Sequence, residues 1–307
     1  MGPGAALAAG VTGSLPAQAL NGIFAGSIYA LFAVGYTLVF GVLDILNLAH
    51  SAVFMLGAVF AYGLVVAVGV PFWPAMLLAT LGCAAIGFGI ELVAFRPLRR
   101  RAAPPIGALL TSIGLALIFV NLAEVRFGAN SQRFPEKAAL SGAMHLGSLV
   151  LPDAKVASLV LSLVLAAALG YVVRRTRAGR AIRAVAENPK AAQLMGIDVD
   201  AVIAWTLVVS SALGAVAGIL YGLSQADVNP FMGRDQIELK GLAVIVLGGM
   251  GSIPGAVLAG YLLGLAEVAA VVFLGSNISS GVAFAMLFLA LVAIPGGLLR
   301  GRTARRV

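Results

Sequence analysis

The amino-acid sequence predicts an all-α fold: a polytopic membrane helix bundle of about eight transmembrane segments, with a broken or re-entrant helix near 238–275. Three observations carry this expectation. Of 307 residues, 61% are hydrophobic and 10% charged, where a soluble domain carries about 25% charged residues. Eight apolar runs follow one another along the chain. The basic residues gather in short clusters beside those runs, as in loops retained on the cytoplasmic side of a membrane. The composition excludes a soluble enzyme, a disordered chain, a collagen and a disulfide scaffold.

Residues 1–16 are rich in Ala and Gly and lack a basic start, so a cleaved signal peptide is not expected and this end is placed outside. The apolar runs cover 17–40, 47–69, 73–95, 104–127, 156–173, 201–224, 238–275 and 279–299. Each has about 18 residues or more, enough to cross ~30 Å of hydrocarbon. Lys and Arg are absent before Arg96. Fourteen of the 20 then fall in three clusters: Arg96, Arg99, Arg100 and Arg101; Arg174, Arg175, Arg177, Arg180, Arg183 and Lys190; and Arg300, Arg302, Arg305 and Arg306. All three read as cytoplasmic, and the formal charge of +8 comes without the aromatic interleaving of a nucleic-acid site. Lipid, not nucleic acid, is the expected surroundings.

Three crossings bring an outer N-terminus to the first cluster, and two more reach the second. The remainder, 201–299, returns to a basic inner C-terminus and so needs an even number of crossings, where only three runs are visible. The stretch Gly248-Gly249-Met250-Gly251-Ser252-Ile253-Pro254-Gly255 supplies the answer, since Gly and Pro break a helix there. The run 238–275 is then a bent hairpin that either re-enters or crosses twice. Its glycine turn, with Gly248, Gly249 and Gly251, either lines a transport path or packs as a plain tight turn. The loop 128–155, with Arg133, Glu136, Lys137, Asp153 and Lys155, is a solvated outer segment with room for a β-hairpin or a short helix. No separate soluble domain is expected; 1–307 reads as a single transmembrane domain. The lone Cys83 and the two His give neither a disulfide framework nor a metal centre.

The cytoplasmic loop 174–198 has structure of its own. Residues 177–187 are Ala-rich and free of Pro, which favours a helix. Asn188 is placed to cap a second helix with Pro189 at its first position. Gly196 is placed to end it in the left-handed conformation. Two short helices with a corner between them follow. They suit docking into a partner's groove, or they are an ordinary basic loop with some helix.

Four stretches together resemble a known family, the LivH-type permease subunit of ATP-binding-cassette importers for branched-chain amino acids. They are Leu20-Asn21-Gly22-Ile23 through Gly26-Ser27-Ile28-Tyr29-Ala30-Leu31 to Gly35–Gly41; Ile45–His50 with Met55-Leu56-Gly57-Ala58; Arg180 to Ile197, with Glu187-Asn188-Pro189 and Met195-Gly196-Ile197; and Val246 to Ala256. One departure is visible: the family usually has Gly and then an acidic residue after the Ala-His pair, and here Ser51 and Ala52 follow His50. The resemblance implies a subunit without a cofactor of its own. ATP and Mg would sit on two separate cytoplasmic ATPase subunits, and the chain lacks a GxxxxGK[ST] phosphate loop. A second, related permease chain and an outer-face solute-binding protein would complete the machine in the inner membrane of a prokaryote. The 177–196 loop would then be the coupling element, with Arg180, Arg183, Glu187, Asn188, Pro189, Ala191, Leu194, Met195 and Gly196 as its candidates.

For the translocation path the candidates are Tyr29, Asn47, His50, Gly248, Gly249, Gly251 and Glu267. Asn47 and His50 share a helix face; they line the path or form an interhelical hydrogen bond. Glu267 lies far in sequence from any basic cluster and needs a partner or a proton. Tyr29, Tyr36 and Phe40 form an aromatic stripe, facing substrate or packing the core. Asp44 reads as an interfacial cap and Glu91 as a surface ion pair with the first Arg cluster. The competing function is a secondary transporter of small polar solutes driven by an ion gradient. A membrane enzyme is disfavoured, because the sequence offers only His50 and His145 as bases and has no nucleophile elbow.

Overall fold

The computed structural model describes residues 3–135, 142–146, 149–275, 279–294 and 296–299. Glu136, Lys137 and the cluster Arg300, Arg302, Arg305 and Arg306 lie outside the described residues. The chain folds into α1 (Pro3–Leu43), α2 (Ala49–Ala67) and α3 (Phe72–Ile90), which runs through a π-helical turn (Glu91–Phe95) into α4 (Arg96–Arg100). Then come α5 (Pro105–Phe127), a hairpin of β1 (Ala143–Leu146) and β2 (Leu149–Pro152), α6 (Asp153–Arg175), α7 (Arg177–Glu187) and α8 (Pro189–Leu194). The last part holds α9 (Val199–Gln225), a π-helical stretch (Gly233–Glu238) continuing into α10 (Leu239–Gly248), α11 (Ile253–Leu274) and α12 (Ser279–Ala293). Among the described residues, seven helices are long and apolar enough to cross a membrane. The protein is a polytopic helical membrane bundle.

The bundle has two distinct ends. The arginines of α4 and the pair α7–α8 mark one, the basic end; the antiparallel β1–β2 hairpin marks the other. Helices α1, α2 and α9 are mostly buried, while α3, α5, α6 and α11 form an apolar outer ring. At membrane depth hydrophobic burial cannot drive association, so close packing must. The seam between α1 and α11 shows how. A Cβ on Gly26 would lie 2.8 Å from the Tyr261 Cα, and one on Gly264 would lie 2.4 Å from the Gly22 carbonyl oxygen. Backbone meets backbone there. A second such crossing joins α2 and α9, where a Cβ on Gly57 would lie 2.5 Å from the Ala215 Cα.

The 238–275 run is a bent hairpin whose two arms, α10 and α11, have 10 and 22 residues. Val228 pairs with Gln132 at the hairpin end. The corner after α10 sits at the basic end, where the Leu298 amide donates to the Leu247 carbonyl at 2.7 Å. The chain returns from the hairpin end to this corner through the π-helical stretch and α10 together. Gly249 (φ +96) and Gly251 (φ +84) give the corner its left-handed backbone.

At the basic end, Asp200 at the start of α9 accepts from Arg96 (2.9 Å) and Arg99 (2.7 Å), with Arg100 at 3.4 Å. Arg99 also bonds Glu91 at 2.6 Å. The expected partner of Glu91 is present, yet the carboxylate is buried, its side chain 1% exposed. Helix α9 covers what the α3 sequence alone leaves open.

Candidate functional site

Three polar side chains from three helices meet inside the apolar bundle. Tyr29 of α1 donates its hydroxyl to one Glu267 oxygen at 2.7 Å. Lys240 of α10 donates to the other at 2.6 Å and to the Tyr29 oxygen at 3.0 Å. All three are buried. Each donor satisfies an acceptor, as a charge pair out of water requires. Tyr29 and Glu267 also floor a cavity of about 320 Å³, with Phe24, Ile28, Ser158 and Tyr221 in its walls. Lys155 closes a further side and donates to Asn21 at 2.8 Å. The cavity is part apolar and part polar, as small-molecule sites are.

His50 ties three helices together. Its Nε2 lies 3.3 Å from the Phe32 carbonyl oxygen. Its Nδ1 lies 3.3 Å from the Ser210 hydroxyl, which donates to the Gly35 carbonyl at 2.8 Å. Asn47 is buried, and its Oδ1 makes no hydrogen bond. Tyr36 and Phe40 pack in the core with Tyr29. The glycines of the corner are close-packed: a Cβ on Gly248 would lie 2.5 Å from Gly255 backbone, and one on Gly297 would lie 2.2 Å from the Gly249 Cα. Tyr29 and Glu267 therefore come together, His50 packs farther along α1 against Phe32 and Tyr36, and the glycine corner lies at the basic end.

Two candidate residues escaped the sequence reading. Lys240 is the partner of Glu267, and its signal was present: one lysine inside an apolar run that must fold back on itself. Glu238 accepts from the Ser51 hydroxyl at 2.9 Å. Nothing local in the sequence marked that contact, which joins positions 187 residues apart.

The helices α7 and α8 form as their caps dictate. Thr176 accepts from the Gly179 amide and Asn188 from the Ala191 amide, both at 3.1 Å. Pro189 holds the first position of α8, and Gly196 takes φ +82 beyond it. Arg183 donates to the Val173 carbonyl, and Val185 and Ala192 are buried, so the pair is anchored to α6 and α9. Arg180 and Glu187 are exposed. Leu194 is 89% and Met195 82% exposed, two large apolar side chains held out from a short rigid helix.

The family model for the permease component of branched-chain amino acid transport systems matches residues 18–291. The chain belongs to this family. It is 34% identical over 299 residues to the high-affinity branched-chain amino acid transport system permease protein LivH of Salmonella typhimurium, covering 92% of this chain and 94% of that one. The Escherichia coli LivH gives the same figures. The corresponding protein BraD of Pseudomonas aeruginosa is 35% identical over 295 residues, with 92% and 94% covered. No solved structure matches the chain. The permease therefore carries its buried Tyr29–Lys240–Glu267 cluster and its α7–α8 corner on a transport scaffold.

Proposed function

We propose that this permease is the pore-forming subunit of an ATP-driven importer that moves branched-chain or related amino acids inward across the cytoplasmic membrane of a prokaryote. The observation that carries the coupling part is α8: a capped helix at the basic end that presents Leu194 and Met195 to solvent. Large apolar groups on a rigid surface helix mark a protein contact. Their partners are two cytoplasmic ATPase subunits that bind ATP and Mg, while this chain holds no cofactor. A second, related permease chain completes the pore, and an outer solute-binding protein delivers the amino acid. The basic end faces the cytoplasm, with the N-terminus outside and the C-terminus inside. ATP binding favours one arrangement of the ATPase pair, α7 and α8 move with it, and the bundle shifts between outward-open and inward-open states. Arg183, Asn188, Pro189 and Gly196 fix the shape of the corner, and Arg180, Glu187, Ala191, Leu194 and Met195 form its surface.

The test replaces Glu187–Met195 with a flexible linker in the reconstituted complex. Transport is expected to stop while capture of ligand by the outer binding protein persists. ATP-driven uptake at the wild-type rate refutes the coupling role. Uptake by the permease alone in liposomes, driven by an ion gradient, would establish the secondary-transporter reading instead.

A further inference from the structure

The π-helical stretch Gly233–Glu238 carries three charged residues, Arg234, Asp235 and Glu238, and none of the features above uses them as a group. Its depth in the bundle can be read from two rulers. A Cβ on Gly233 would lie 2.1 Å from the Ser51 carbonyl oxygen, so the start of the stretch packs on the first turn of α2. Just before that turn, the Leu48 amide donates to Ser112 at 3.1 Å. Ser112 lies seven residues into α5 from Pro105, or about 10 Å from the basic end. The far side of the stretch continues into α10, which ends at Gly248 in the corner at the basic end; Glu238 is ten residues before Gly248, or about 15 Å from that end. The strip lies between these levels, in the middle of a hydrocarbon layer of ~30 Å.

At that depth the side chains of Arg234 and Asp235 are 66% and 57% exposed on this chain. A charge at the membrane centre faces a bundle interior or a water-filled space, not lipid. Arg234 and Asp235 stand 3.7 Å apart with opposite sign. The ammonium and carboxylate of a free α-amino acid sit on one carbon, about 2.5 Å apart from nitrogen to carboxyl carbon, close enough for each to meet one member of a fixed pair of opposite charges laid antiparallel. Glu238, held by Ser51, adds a second carboxylate within one turn.

We propose that Arg234, Asp235 and Glu238 with Ser51 are this chain's share of an aqueous passage formed against the second permease chain, and that they read the zwitterion of an α-amino acid. Arg234 takes the α-carboxylate through its planar fork of donors. Asp235 and Glu238 take the α-ammonium. This assignment rests on the importer reading above and names its substrate contacts.

The experiment uses the complete reconstituted complex with its ATPases and binding protein. Arg234→Gln is expected to lower ATP-driven leucine uptake about tenfold or more with the complex intact, the size of one lost charge-assisted hydrogen bond. Arg234→Lys is expected to recover part of it. In a Cys83→Ser background, Asp235→Cys is expected to react with a water-soluble thiol reagent in the assembled complex, and saturating leucine is expected to slow the reaction. Full uptake by Arg234→Gln overturns the assignment. So does a thiol at position 235 that is inert in the assembled complex, because protein or lipid then covers the strip. Failure of the importer reading registers separately, as a wild-type complex without ATP-driven uptake, and takes this assignment with it.

Discussion

Replacing Lys240 with methionine isolates what the buried cluster is worth. The Lys240 ammonium lies 2.6 Å from Glu267, and the two side chains are 9% and 12% exposed. An exposed pair contributes about 0–1 kcal/mol. Here Lys240→Met removes the cation that lies against the carboxylate, and breaking a buried pair in this way costs about 3–5 kcal/mol. At 1.4 kcal/mol per factor of ten, that is about two to three and a half powers of ten in the folding equilibrium. Glu267→Gln strands the ammonium instead, and its amide oxygen still accepts from Tyr29, so its loss falls toward the lower figure. The double variant Lys240→Met, Glu267→Gln removes both charges and should lose less than the two single losses added, because neither charge is left stranded. Denaturation of the purified permease in mixed micelles, followed by circular dichroism across all four members of the cycle, measures the coupling. Single losses below about 0.5 kcal/mol that simply add would refute the reasoning. Water entering through the cavity beside Glu267 would then be screening the pair as it does at a surface.

Other perturbations separate packing from coupling. Arg99→Gln leaves Glu91 charged under α9 and should cost about 3–5 kcal/mol, read as a fall in thermal stability of the purified protein; an unchanged melting temperature would mean that Glu91 is hydrated. Gly218→Ala puts a Cβ 1.8 Å from the Phe54 carbonyl oxygen and should destabilise by about 1–3 kcal/mol, whereas Gly114→Ala, with open space around it, should be neutral or slightly stabilising in the same melt. Asn188→Ala removes the α8 cap at about 1 kcal/mol and should reduce transport with little effect on overall stability, measured as uptake against a thermal melt. Leu194→Asp with Met195→Asp should uncouple ATP hydrolysis from uptake in the reconstituted complex while the permease still folds; normal coupling would move the contact elsewhere.

What the sequence revealed followed the range of the forces involved. Asn188, Pro189 and Gly196 act within one or two turns of their own positions, so α7, α8 and the corner between them were legible residue by residue. The apolar runs were legible because lipid demands length and composition alone. The parity of the basic clusters demanded a fold-back in 238–275, and the glycines located it, but whether it re-entered or crossed depended on where Leu298 and Gln132 pair, which no local rule states. Glu91 was matched to its arginine but placed at the surface, because the helix that buries it begins more than a hundred residues later. Glu267 was suspected without Lys240, since a hairpin has to close before the two arms can be paired.

The seam between α1 and α11 has a mechanical consequence. Two surfaces that touch through main chain, with Gly22, Gly26, Gly260 and Gly264 at the contact, have no rotamers to exchange and no slack to take up. Such a pair tilts or translates as one strut. Whatever motion lets a solute through must be absorbed along joints that touch through side chains rather than main chain.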